Sequence, residues 1–225
     1  MNVTKPDNNF VEDWNRWFWL MTVLLLVFRV FLALYLDLTP DETYYWEFSR
    51  QLDLSYYDHP PMIGWMIALF RLLPGENQLY VRLPAVLATA VLSWFVFDIG
   101  RIWLKSSAVG FWAAFMLNMT PSGVALGFVS TPDTPLALAW AFCTWTFLKA
   151  LHEEKPIWWI ATGIGLGFGA LGKYNMILFV PAVAITILGF KRYRHLVFTL
   201  RFWMMVLLAF AGTLPIIYWN YPVSY

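Results

Sequence analysis

Two aspartates raise the question of what this 225-residue chain does. Asp41 stands in LTPDETYYW at 38–46 and Asp133 in STPDTPL at 130–136, so Thr-Pro-Asp occurs twice, each time beside an apolar run. A carboxylate at a membrane boundary is a functional candidate by default. Two of them can act as general base and orienting partner, or can jointly hold a metal or a cationic group. YYDHPPM, at 56–62, adds Asp58 and His59 ahead of a rigid Pro-Pro. His59 can contact a phosphate or, with Asp58, ligate a divalent metal. GKYN places Lys173 between two apolar runs, where it can snorkel to headgroups or hold an anionic phosphate.

Each feature also has a plainer reading. Thr39 can cap a helix, with Pro40 at its first position and Glu42 completing a capping box. Asp41 would then complement the helix dipole. Thr131-Pro132-Asp133 is expected to cap a helix in the same way, and YYDHPP can be an interfacial turn. Capping accounts for each Thr-Pro-Asp separately but not for both facing the same side of a membrane.

That a membrane is involved follows from composition. Hydrophobic residues make up 60% of the chain and charged residues 13%, whereas soluble domains carry roughly a quarter charged residues. Charge-free runs recur at about the 20 residues a bilayer crossing needs. A net charge of +1 and the lack of a basic stripe exclude nucleic acid as a partner. The one cysteine, Cys143, lies inside an apolar run and offers neither a disulfide nor a cysteine metal site. The first apolar run is too long for a signal-peptide core and lacks a cleavage site, so it is expected to stay.

The pattern predicts an all-α multi-pass membrane protein with about seven spans, at 17–36, 83–104, 108–129, 134–148, 156–172, 176–190 and 197–218. A tail at 1–16 precedes this membrane module at 17–218, and 219–225 is the start of an outer loop that breaks off. The loop 37–82 is expected to carry interfacial helices: one rich in Tyr44, Tyr45, Trp46 and Phe48, and one over 60–73, which is too short to cross. With the N-terminus cytoplasmic, the inner side receives Lys5, Arg16, Arg101, Lys105, Lys149, Lys155, Lys191, Arg192, Arg194 and Arg201. The outer side receives only Arg50, Arg71, Arg82 and Lys173, in keeping with the positive-inside rule. Asp41, Asp58, His59, Asp133, Lys173 and Asn220 then share the outer face. Arg29 lies mid-span and needs a partner, since an exposed charge there costs at least about 2.5 kcal/mol; Asp98 is one candidate if the first two spans are neighbours.

DETYYWEFSRQLDLSYYDHPPM, YVRLPAV, STPDTPL, GKYN and PIIYWN resemble, in that order, the multi-pass glycosyltransferases of the GT-C superfamily. The nearest group is the bacterial aminoarabinose transferase-like and protein-mannosyltransferase-like enzymes, and the resemblance runs from about Phe28 to the C-terminus. It implies transfer of a sugar, with inversion, from a polyprenyl-phosphate carrier to an extracytoplasmic acceptor: lipid A, another glycolipid or a protein. It implies catalytic roles for Asp41 and Asp133, with Asp41 as base or, for an anionic acceptor, as positioning group. Lys173 would offset the leaving phosphate, and Glu42, Tyr45, Tyr57, Asp58, His59, Arg82, Tyr174 and Asn220 would line the substrate site. A cavity between the outer helix ends would admit the prenyl chain. The implied location is a bacterial inner membrane, with the active face outward. The chain departs from the family in having Asp58-His59 where Glu-Lys is usual, and in stopping soon after the WN motif. The expectation is therefore either a truncated or split product, or a partner chain that supplies the remaining C-terminal part. Competing readings are a transporter or lipid flippase subunit and a non-catalytic scaffold. Transporters place ionisable groups near the midplane of repeated halves, whereas here the polar residues gather at one face.

Overall fold

The computed structural model describes residues 8–73 and 78–221, with side chains from residue 13 onward. Residues 1–7 (Lys5 among them), 74–77 and 222–225 lie outside the described residues. The described chain is helical, in the order α1 (Asn8–Tyr35), α2 (Pro40–Arg50), α3 (Met62–Phe70), α4 (Gln78–Trp103), α5 (Ser107–Met119), α6 (Pro121–Leu126), α7 (Asp133–Glu153), α8 (Pro156–Gly172), α9 (Phe179–Gly189), α10 (Leu200–Ala211) and α11 (Leu214–Asn220). Short 3₁₀ segments, Tyr174–Leu178 and Arg194–Phe198, precede α9 and α10. Among the described residues, 13–35, 78–103 and 200–220 are long and apolar enough to cross a membrane. This is an all-α, multi-pass membrane protein.

Helical segments fill every expected span, but two are broken by chemistry visible in the sequence. The run 108–129 divides at Thr120, which is extended (φ −70°, ψ 150°) and caps α6 through its hydroxyl, 3.1 Å from the Gly123 amide. Pro121 forces this, since a proline disfavours the helical conformation in the residue before it. The run 197–218 divides at Gly212 and Thr213, ahead of Pro215. Helix α4 begins at Gln78, so Arg82 sits on a helix rather than in the loop. The two short elements α2 and α3 are the expected outer-loop helices, packed on each other through Tyr45, Phe48, Ile63 and Ile67.

Helix α8 packs between α7 and α10, while α4 packs against α1, α5 and α7. The main core gathers around buried Trp159, Cys143, Phe147, Met176, Ile187 and Met205. Backbones of α8 and α10 approach at Gly167 and Gly212, where a Cβ on Gly167 would come within 2.8 Å of the Gly212 Cα. Small residues permit such contacts between membrane helices.

Arg29 is buried, and its partner is not Asp98. Its Nη2 donates to Asn118 Oδ1 on α5 at 2.9 Å, and Asn118 Nδ2 donates in turn to Ser93 Oγ on α4 at 2.8 Å. The guanidinium lies flat on Gly127, where any Cβ would collide with it. Asp98 instead accepts from Arg101 Nε (3.0 Å) and from Trp145 Nε1 (2.8 Å). Asp98 lies far along α4 from the end that meets the outer loop, so the mid-span cation is served by the broken α5–α6 segment.

Candidate active site

The first Thr-Pro-Asp builds the expected helix start. Thr39 Oγ1 accepts from the Glu42 amide at 3.3 Å, and Glu42 Oε2 accepts from the Thr39 amide at 2.9 Å. With Pro40 at the first helical position this is a full capping box. It points Glu42 inward and leaves Asp41 exposed. Glu42 meets Arg82, both side chains fully buried, through Nε–Oε1 and Nη2–Oε2 contacts of 2.8 Å each. Glu42 and Arg82, both expected at the substrate site, are thus paired with each other. Asp41 takes part in no ion pair among the described residues.

The second Thr-Pro-Asp does not cap its helix. Pro132 is the residue before α7 and makes no side-chain cap. The Thr134 amide, which a Thr131 hydroxyl would have satisfied, is already bonded to the Thr131 carbonyl at 2.9 Å. The aspartate is delivered all the same: Asp133 opens α7 and accepts from Lys173 Nζ at 2.7 Å. Lys173 stands in extended backbone between α8 and the following 3₁₀ segment, so two connections distant in sequence meet in one ion pair.

The loop between α2 and α3 is fixed from several sides. Tyr56 stacks on Phe48 at 3.7 Å, with its hydroxyl 2.7 Å from the Phe48 carbonyl and 2.9 Å from that of Gln51. Trp65 Nε1 donates to the Asp53 carbonyl at 2.9 Å. Asp58 is thereby held near α2, where the Tyr44 hydroxyl donates to it at 2.8 Å. The His59 ring stands edge-on to Tyr45, centroids 5.5 Å apart. Tyr44 was expected as an aromatic of the interfacial helix and not as a partner of Asp58, although it falls one helical turn beyond Asp41.

Tyr45 registers the convergence of these groups. Burial pushes its phenol up to about 12, and the charges of Asp41, Asp58 and Asp133 push the same way. Three carboxylates from three segments therefore act on one hydroxyl. Not all expected residues join them. Tyr57 is 98% exposed. Asn220 donates to its own helix at the Ile216 carbonyl, 2.9 Å away. Tyr174 follows Lys173 directly and lines an apolar cavity of about 910 Å³ with residues such as Ile177, Val180, Phe202 and Ile217. No three His, Cys, Asp or Glu side chains come together to hold a metal ion among the described residues. Asp58 accepts from Tyr44 and His59 packs on Tyr45.

With this geometry in place, comparison with known proteins is direct. The family described as dolichyl-phosphate-mannose-protein mannosyltransferase matches residues 58–219. The chain belongs to that family. Curated relatives include the lipid A galacturonosyltransferase RgtD of Rhizobium johnstonii, 28% identical over 185 residues covering 82% of this chain and 38% of the relative. Another is an undecaprenyl phosphate-alpha-4-amino-4-deoxy-L-arabinose arabinosyl transferase of Proteus mirabilis, 25% identical over 92% of this chain and 42% of the relative. The crystal structure of ArnT from Cupriavidus metallidurans in the apo state shares the fold, with a TM-score of 0.71 at 19% identity, over 93% of this chain and 43% of that one. The chain thus spans about two-fifths of the length of these relatives. In this family member the candidate site offers an exposed carboxylate, a phenol held protonated, and an ammonium group fixed by a second carboxylate.

Proposed function

We propose that the protein is an inverting, membrane-embedded glycosyltransferase that moves a sugar from a polyprenyl-phosphate carrier to an extracytoplasmic acceptor such as lipid A, another glycolipid or a protein. The observation that carries this reading is the 2.7 Å ion pair of Lys173 with Asp133, joined by the capped helix start that leaves Asp41 exposed; the charges of both aspartates reach Tyr45. The acceptor hydroxyl oxygen attacks the anomeric carbon while its proton passes to the Asp41 carboxylate. The bond from that carbon to the phosphate oxygen breaks, and its electron pair leaves with the polyprenyl phosphate. Lys173 offsets the charge that develops there, since a cation fixed in advance stabilises a leaving anion without reorganising. Asp133 holds the ammonium in place between turnovers. Attack opposite the leaving group inverts the anomeric centre. For an acceptor that is already an anion, Asp41 orients rather than abstracts.

The apolar cavity that Tyr174 lines is a fitting seat for the prenyl chain, because that residue directly follows the lysine whose ammonium would meet the phosphate. The location that suits this chemistry is a bacterial inner membrane, with the N-terminus cytoplasmic and the site outward. Membranes containing the protein, supplied with a polyprenyl-phosphate sugar labelled in the sugar, should pass label to the lipid or protein fraction. A nucleotide sugar should pass none. Transfer from the nucleotide sugar, or none from any lipid-linked donor, would overturn the reading.

A further inference from the structure

Arg82 has no part in the reaction above, yet it touches the segments that present Asp41 and Asp133. Its Nε and Nη2 hold both oxygens of Glu42, the residue after Asp41. Its Nη1 donates to the Leu36 carbonyl at 2.6 Å and its Nη2 to the Asp37 carbonyl at 2.7 Å, at the end of α1. The face of the guanidinium lies over the Phe128 ring, 4.2 Å from its centroid. Phe128 belongs to the 127–132 segment, whose next residue is Asp133. One planar cation thus joins the end of α1, the first turn of α2 and the approach to α7.

Stability alone is a weak reason for such a pair. A buried ion pair loses so much hydration that apolar residues of similar volume often serve as well. What apolar residues cannot supply is direction. A guanidinium bonds in its own plane to a carboxylate and to carbonyls while stacking on a ring, and a lysine ammonium cannot do both. The segment on which it stacks is fastened from other sides too: the Thr89 hydroxyl donates to the Leu126 carbonyl at 2.8 Å, and Arg29 covers Gly127. Arg82 is the member of this set that also reaches α2.

We propose that Arg82 is a positioning residue, which sets Asp41 relative to Asp133 by clamping the helix start that carries the one to the segment that delivers the other. The proposal rests on the reading of these aspartates as the reacting site. Arg82→Lys keeps the charge near Glu42 but gives up the planar fork and the stack. In membranes containing the full protein, it should lower kcat at least tenfold, with the donor KM within threefold of wild type and the melting temperature nearly unchanged. Spin labels on Thr43→Cys and Thr131→Cys, in a Cys143→Ala background, should give a broader distance distribution once Arg82→Lys is added. If Arg82→Lys does not fold, Glu42→Gln, which keeps the shape and loses the charge, is read by the same two measurements. An unchanged distribution, or a kcat that falls only as folded protein is lost, would overturn the clamp. A protein that transfers no sugar in any form would overturn the function instead, and the distance distribution would still decide the clamp.

Discussion

The chemistry open to the candidate site depends on which side chains are free and which are committed. Asp41 is exposed and outside any ion pair among the described residues, while its neighbour Glu42 is consumed by Arg82. A capping box explains the difference, because the residue at its third position must turn back onto the cap while the second faces outward. That much was legible in LTPDE. The pairing of Lys173 with Asp133 was not, since nothing in two motifs forty residues apart states their distance in space. The commitment of Arg82 was hidden for the same reason: its partners come from the end of α1, the start of α2 and residue 128. Tyr45 gives this scale a pH test. Its phenol is neutral when protonated, and the folded value near 12 lies above the ordinary 10.0. The folded state keeps a proton that the unfolded chain gives up above about 10, so this contribution is complete below pH 10 and fades as pH rises through about 12. Thermal melts across pH 9–12 should therefore show wild type losing stability faster than Tyr45→Phe; parallel losses would contradict the burial that raises the Tyr45 phenol, to which the three carboxylates add.

At the scale of elements, prolines and small residues decide where helices stop. Pro121 and Pro215 break two runs that hydrophobicity alone reads as continuous, and the first break brings α6 and Gly127 over Arg29. Hydrophobic runs were legible because a bilayer leaves few options; their internal breaks lay in the prolines, which the run lengths outweighed. Helix α7 runs past the apolar stretch that ends at 148 and reaches Glu153, as the shortness of that stretch implies, since polar residues past the apolar run still suit a helix. The buried chain Arg29–Asn118–Ser93 ties α1, α5 and α4 together in the interior. Asn118→Leu removes the hydrogen-bond partner of a buried cation and should cost about 2–3 kcal/mol. Arg29→Met added to it should recover part of that loss, because the uncompensated charge is gone. Melting in detergent reads both, and a double variant less stable than Asn118→Leu alone would show that Arg29 is held by something other than this network.

For the whole molecule, sidedness links fold to function. Lysines and arginines are sparse around α2, α3 and the start of α7, and frequent around 101–105, 149–155 and 191–201. In a Cys143→Ala background, Tyr57→Cys should react with a membrane-impermeant maleimide in intact spheroplasts, whereas Lys155→Cys should react only after permeabilisation. The opposite pattern would place the aspartates in the cytoplasm. The family was legible as a set of weak motifs in the right order, whereas the geometry that makes them a site required the helices to be assembled. The central claim is that the Asp41 carboxylate serves the transfer itself, and single-turnover transfer by Asp41→Asn tests it most directly. Loss of general-base assistance is worth about 10²–10⁴-fold. The expected result is a rate lower by that amount, with the melting temperature and donor binding as in wild type; a rate within a few-fold of wild type would contradict the account.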